Sequence, residues 1–206
     1  MLNMQEYTLQ EGKILIDIAH KSINSYIRYG EILDIKKEFP ELSENLKEKR
    51  GVFVTLKVNN ELRGCIGLPI PVQSLANAVR DMAISAATQD FRFVSIKETE
   101  LDELEVEISI LSLPKELKLE NKQDAIKLIK VGRDGLIIES DWQRGLLLPQ
   151  VAVEQKWDSE QFLDNTCIKA GLHEGCWREK NTKIFTFHAT IFTEKPGGTI
   201  ELIHPE

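Results

Sequence analysis

Cysteine is scarce in this chain: three residues in 206, namely Cys65, Cys167 and Cys176. A disulfide scaffold is denser and even-numbered, so the set predicts reduced thiols that pack, ligate or react. Basic charge is short as well. The 26 Lys and Arg residues face 33 Asp and Glu, leaving −7. Proteins that grip phosphates are basic overall or carry a basic stripe, so no nucleic-acid partner is expected. Phe and Tyr are few and fall mostly at core spacings, which removes a stacking platform for single strands. No apolar run approaches the roughly 18–20 residues that span a bilayer, so no membrane role is expected. The opening residues Met1–Glu6 lack the basic and apolar regions of a secretory signal, and a cytoplasmic location follows as the expectation. Phosphate loops, dinucleotide fingerprints, HExxH and GxSxG are all missing. Nucleotide hydrolysis, nicotinamide redox and serine hydrolysis lose support, and no cofactor is implied. There is no internal repeat and no low-complexity segment.

What is present is an ordinary globular balance, 42% hydrophobic and 29% charged, enough for one large domain or two small ones. Thr8-Leu9-Gln10-Glu11 fits a capping box, and Ile14, Leu15, Ile18, Ala19, Ile23, Tyr26 and Ile27 continue as one helical stripe. Residues 31–50 read as a loop with a short helix near Ser43–Lys49. Val52, Val54, Leu56 and Val58 alternate with polar or outward positions, Asn59-Asn60 suits a two-residue turn, and 61–67 returns as a second strand. In the simplest register Val58 opposes Glu61, Leu56 opposes Arg63 and Val54 opposes Cys65. Arg63 and Cys65 then share a sheet face.

Pro71 is suited to the first turn of a helix whose stripe runs from Val72 to Ala86 and stops near 88–90. A strand follows at Glu105–Leu111. Beyond Pro114 the elements shorten: a helix capped by Asn121, strands after Asp134-Gly135 and at Gly145–Leu148, and a helix opened by Asp158 and Gln161 and closed by Gly171. One long strand is predicted from Ile184 to Thr193, and a short edge strand at Thr199–Ile203. Strands in antiparallel runs give an α+β class. Two lobes are expected: 1–113 with 182–206 as the larger, and 114–181 inserted.

Leu62-Arg63-Gly64-Cys65-Ile66-Gly67 is the most informative segment. Glycines inside a strand mark close approach of a backbone or a ligand. In a functional reading, Cys65 is an exposed thiol, Arg63 clamps an anion, and the nearby helix N-terminus favours thiolate. In a packing reading, Cys65 is a small buried side chain on a twisted strand. Cys167, His173 and Cys176 raise zinc, but the spacing matches no strong ligand pattern. His188 is either a general base reaching a cleft or a hydrogen-bonded structural residue.

This hexapeptide resembles the LRGCIG hallmark of the AMMECR domain family, in an archaeal or bacterial member. Ala86-Ala87-Thr88-Gln89-Asp90-Phe91-Arg92-Phe93 is similar to the family's AA-x-x-DPRF segment, with Phe91 where the family usually has Pro. Gly132-Arg133-Asp134-Gly135-Leu136, Gly145–Ala152 with Glu154 and Trp157, and Cys167-Ile168-Lys169-Ala170-Gly171-Leu172 match further segments in order. The resemblance implies two antiparallel-sheet lobes with the motif strand facing the cleft between them. It implies a binding site drawn from Arg63, Gly64, Gly67, Asp90, Arg92, Gln150 and Glu154, with Cys65 as candidate nucleophile. The ligand is a substrate or a protein segment, and a protein of the Memo type, in a pathway shared with a radical-SAM protein, is the implied partner. A non-catalytic adaptor is the alternative.

Overall fold

Helix formation begins where the capping box places it. The Thr8 hydroxyl accepts the Glu11 amide at 3.2 Å and the Glu11 carboxylate accepts the Thr8 amide at 2.8 Å, satisfying donors that the first helical turn leaves orphaned. The structure, a computed structural model, describes residues 7–203; Met1–Glu6, read above for a targeting signal, lie outside the described residues. Along the chain the elements are α1 (Leu9–Tyr29), α2 (Ile35–Glu38), α3 (Glu44–Lys47), β1 (Gly51–Val58), β2 (Glu61–Leu68), α4 (Leu75–Thr88), β3 (Leu104–Leu111), β4 (Lys115–Glu116), α5 (Ala125–Leu128), β5 (Gly135–Ser140), β6 (Gln143–Leu147), α6 (Pro149–Glu154), α7 (Ser159–Lys169), β7 (Lys183–Phe187), β8 (Ala189–Glu194) and β9 (Ile200–Ile203). Helices combine with two antiparallel sheets, so the fold is α+β.

The chain divides into two units, one running through Leu111 and resuming at Thr190–Ile203, the other Ser112–Ala189. In the first, the sheet order is β2-β1-β3-β8-β9. Period-two alternation sends Val52, Val54, Leu56, Val106, Ile108 and Ile110 to one face, where they join Leu15, Ile18 and Ile23 of α1 and Leu75, Val79 and Ala83 of α4 in one buried cluster. Gly12 lets α1 lie directly on the Phe192 ring of β8, since a Cβ there would collide with it. The hairpin turn is built on Asn59 and Asn60, both in the left-handed region at φ 53° and 63°.

Two expectations change in this unit. The helix after Pro71 starts only at Leu75, capped by Ser74, whose hydroxyl accepts the Asn77 amide. Pro71 therefore lies ahead of the helix, because a hydroxyl cap in the chain outcompetes a merely permissive proline. A short helix at Ile35–Glu38, unforeseen in the charged stretch, forms because the Asp34 carboxylate accepts the amides of Lys36 and Lys37.

In the second unit the sheet order is β4-β7-β5-β6. Leu136, Ile138 and Ile184 pack with Phe162, Leu163, Cys167 and Trp177 in a separate core. Asp158 and Gln161 form the capping box of α7, and Gly171 follows it at φ 78°. The single strand expected from Ile184 to Thr193 is two. β7 pairs with β5, whereas β8 pairs with β9 in the other sheet. The break is at His188, whose amide donates to Ser112 Oγ and whose carbonyl accepts the Ser112 amide, both at 2.9 Å. Apolar alternation runs unbroken through both strands, so the sequence carries no sign of the switch.

The reduced-thiol expectation also fails for two of the three cysteines. Cys167 and Cys176 form a disulfide with Cα atoms 5.9 Å apart, a separation suited to the bond. The turn through Gly171 and Gly175 folds the nine-residue spacing back on itself, and spacing alone does not encode that. Among the described residues no group of three His, Cys, Asp or Glu side chains is arranged to hold a metal ion.

Candidate functional site

β2 is an edge strand, and its pairing with β1 slips at Arg63. Leu62 opposes Lys57 and Gly64 opposes Leu56, so Arg63 is an extra residue and the register shifts there. The simple register expected above is therefore off by one beyond the bulge: Cys65 opposes Thr55 and Ile66 opposes Val54. Bulges re-aim side chains. Gly64 consequently turns toward α4, where a Cβ would collide with the Ala86 carbonyl oxygen. Cys65 points to the other face, beside Thr55. Gly67 makes room for the Phe53 ring. Both glycines are thus required by packing within the unit.

The bulged Arg63 leaves the strand edge and meets Glu100. Its Nε and Nη2 donate to the two carboxylate oxygens at 2.8 and 3.1 Å, and Nη1 donates to the Val94 carbonyl at 3.2 Å. This fork-to-fork pair is the strong form of an arginine contact. The Arg63 guanidinium lowers the Glu100 carboxyl below the ordinary range, against the cost of burial. Glu100 lies outside every motif noted in the sequence, and its role appears only once the chain has folded back on β2.

Asp90 sits at the end of α4 and is buried, while its partner Arg92 is half exposed. One Asp90 oxygen accepts the Cys65 amide at 2.8 Å; the carboxylate also takes Arg92 Nε at 2.9 Å and Nη2 at 2.7 Å. Arg92 Nη2 in turn donates to the Cys65 carbonyl at 3.4 Å. An acceptor and a donor thus meet the outward N–H and C=O of one edge residue, as a neighbouring strand would. The Arg92 guanidinium, with the amides of Cys65 and Arg92, holds the Asp90 carboxyl far below the usual carboxylate range.

Cys65 is the free cysteine of the described chain and is half-buried. Its sulfur accepts the Thr55 hydroxyl at 3.3 Å. Burial pushes the thiol pKa up; the Thr55 hydroxyl and the Arg92 charge oppose that, and Asp90 and Glu107 add to it. The expected helix N-terminus does not contribute, since α4 begins at Leu75. Phe91, standing where the related motif has proline, is almost fully exposed.

Of the remaining expected site residues, Gln150 and Glu154 belong to the second unit. Both lie on α6, Gln150 with a buried Oε1 that has no hydrogen-bond partner and Glu154 exposed. His188 is there too, its Nδ1 3.8 Å from Asp134 Oδ1. Asp134 is itself held by Arg133 at 2.6 and 2.8 Å and by the Lys130 amide. Thus Cys65, Asp90 and Arg92 are brought together, Arg63 is drawn to Glu100, and His188 stands beside the Arg133–Asp134 pair.

The family model AMMECR1 matches residues 16–192. A protein of Methanothermobacter thermautotrophicus is 47% identical over 184 residues, covering 89% of this chain and 94% of its own. Protein MJ0810 of Methanocaldococcus jannaschii is 43% identical over 200 residues, covering 96% and 97%. The crystal structure of the uncharacterized protein PH0010 from Pyrococcus horikoshii superposes with a TM-score of 0.87 at 42% identity, over 95% of this chain and 97% of that one. With identities above 40% along nearly its whole length, and a shared fold, this chain belongs to the AMMECR1 family.

Proposed function

We propose that the protein binds a ligand, a substrate molecule or a protein segment, at the face of β1 and β2 that carries Thr55 and Cys65, and that it acts as a non-catalytic adaptor. The observation that supports this is the commitment of every activating group. Arg63 is neutralised by Glu100 and Arg92 by Asp90, and burial keeps the Cys65 thiol protonated at neutral pH. A nucleophilic cysteine needs the opposite, a thiolate favoured near pH 7. What the face offers instead is a rigid arrangement of donors, acceptors and a soft sulfur.

One observation favours the catalytic reading. The Thr55 hydroxyl and the Arg92 guanidinium both approach the sulfur, so a thiolate formed on ligand binding has two stabilising partners. Alkylation of native protein with iodoacetamide across pH 6–10 separates the readings. The adaptor reading expects slow Cys65 labelling at pH 7 that climbs only above about pH 8.5, the ordinary thiol range. Fast labelling that is flat between pH 6 and 8 sinks it. A bound partner should lower the rate further, and a Memo-type protein, implied by the family resemblance, is the first to add.

A further inference from the structure

The segment closed by the disulfide carries His173, and both nitrogens of its ring face acceptors. Nδ1 is 2.7 Å from the Glu174 carbonyl oxygen and Nε2 is 2.9 Å from Glu179 Oε1. A carbonyl and a carboxylate oxygen can only accept, and a neutral imidazole has one N–H. The imidazolium is the form that satisfies both contacts. Those contacts pin a short stretch, His173-Glu174-Gly175, that leads straight into Cys176. Around it, the Asp164 carboxylate of α7 accepts the Gly175 amide at 2.9 Å and Trp177 Nε1 at 2.8 Å. Arg178 pairs with Glu160 and lies 3.7 Å from Asp164. The two cysteines are 0% and 1% exposed, so a reductant reaches the bond only if the structure around it opens, and the stretch 173–175 runs directly into one of them, with the Cys176 amide donating to the His173 carbonyl.

We propose that His173 is a pH-dependent latch controlling the access of a thiol reductant to the Cys167–Cys176 disulfide. The reaction it gates is ordinary exchange. A thiolate of a small dithiol attacks one sulfur, the S–S bond breaks, and the other cysteine leaves as thiolate. The second thiol of the reductant then closes its own disulfide, releasing the first cysteine. Two electrons pass to the protein, and both cysteines end as thiols after protonation. With His173 charged, both contacts hold the segment closed. Loss of one proton leaves one nitrogen without an N–H, so one contact is lost. The Glu174 carbonyl and then Glu179 raise the imidazole pKa above its ordinary value. The latch is therefore closed below about pH 6.5 and opens as the pH rises through the raised value. The charged groups around the ring are Glu179, Asp164, Glu160 and Arg178. The imidazole is the group of this set whose ordinary titration falls between pH 5 and 8.

The test uses native protein and a water-soluble phosphine, which is oxidised to its oxide as the disulfide takes up two electrons and two protons. Samples are acid-quenched, alkylated and read by mass spectrometry at the 167 and 176 peptides. Each rate at pH 5.5 and 8.5 is divided by that of the denatured protein at the same pH, removing the intrinsic chemistry. The normalised wild-type rate should rise about two- to fivefold from pH 5.5 to 8.5, the size of effect that an exposed ion pair sustains. His173→Gln should be equally fast at both. Glu179→Gln should give an intermediate ratio. A flat wild-type ratio, or a His173→Gln protein that keeps the wild-type profile, overturns the proposal. His173 is two-thirds exposed, so the variant should fold.

Discussion

Replacing Asp90 by Asn removes the charge that binds Arg92 while leaving a side chain of the same shape. The Asp90 side chain is 2% exposed and accepts four donors, the amides of Cys65 and Arg92 and two guanidinium nitrogens of Arg92. Hydrogen bonds to charged groups are worth about 1.5–3 kcal/mol, and solvent around the half-exposed Arg92 weakens its share. Asp90→Asn should cost about 2–3 kcal/mol in urea unfolding at pH 7. The pH dependence follows from the lowered carboxyl pKa. Its stabilisation is fully present above the unfolded value, about 4, and is lost as the pH falls below it toward the folded value. The variant's disadvantage should therefore shrink as titration proceeds from pH 5 to pH 3. An unchanged gap across that range would contradict the assignment of this stability to the ionised Asp90 carboxylate. None of this is written locally in the sequence: the segment 86–93 names Asp90 and Arg92, but not the Cys65 backbone they serve.

Between elements, the packing of β2 on α4 and β1 turns on two glycines with different tolerances. A Cβ at Gly64 strikes the Ala86 carbonyl of α4, which is backbone; a Cβ at Gly67 strikes the Phe53 ring, which is a side chain. Overpacking costs about 1–3 kcal/mol, and a helix backbone yields less readily than a ring. Gly64→Ala should fall at the top of that range and Gly67→Ala near the bottom, measured by paired chemical denaturation. The reverse order would mean that the Phe53 ring is held more tightly than α4. At this scale the sequence was a partial guide. Helix caps at Thr8 and Asp158, the short helix after Ser43, and the Asn59-Asn60 turn are local signals and stand where they were read. The Arg63 bulge is set by how β2 pairs with β1 across the hairpin, and the strand break at His188 by partners distant in the chain. Hydrophobic alternation looks the same on either side of both.

At the scale of the molecule, charge is divided unevenly. Ser112–Ala189 holds equal numbers of basic and acidic residues, so the whole excess of −7 lies outside it. The unit that carries Cys65 is thus the acidic one. Two arginines near that residue, Arg63 and Arg92, are each matched by a carboxylate. Nucleic-acid binding needs several cations free to displace counterions along one track. Fluorescence anisotropy against mixed-sequence DNA and RNA at about 150 mM salt should show no binding tighter than about 10⁻⁶ M. A submicromolar affinity with a steep salt slope would contradict the charge argument. No helix among the described residues is long and apolar enough to cross a membrane.

By itself the sequence determined what depends on near neighbours: the α+β class, most helix starts, the hairpin turn, and the family, carried by a hexapeptide and several ordered segments. Those features arise from spacing and from caps that reach three or four residues. Tertiary structure decided what depends on residues far apart in the chain. It joined Cys167 to Cys176, gave Arg63 to Glu100, set Asp90 under the Cys65 amide and turned Gly64 onto α4. Each is a pairing between groups whose reach is a few ångströms but whose separation along the chain is 9, 37 or 25 residues, or crosses from strand to helix. Only the folded path of the backbone brings such groups within that reach.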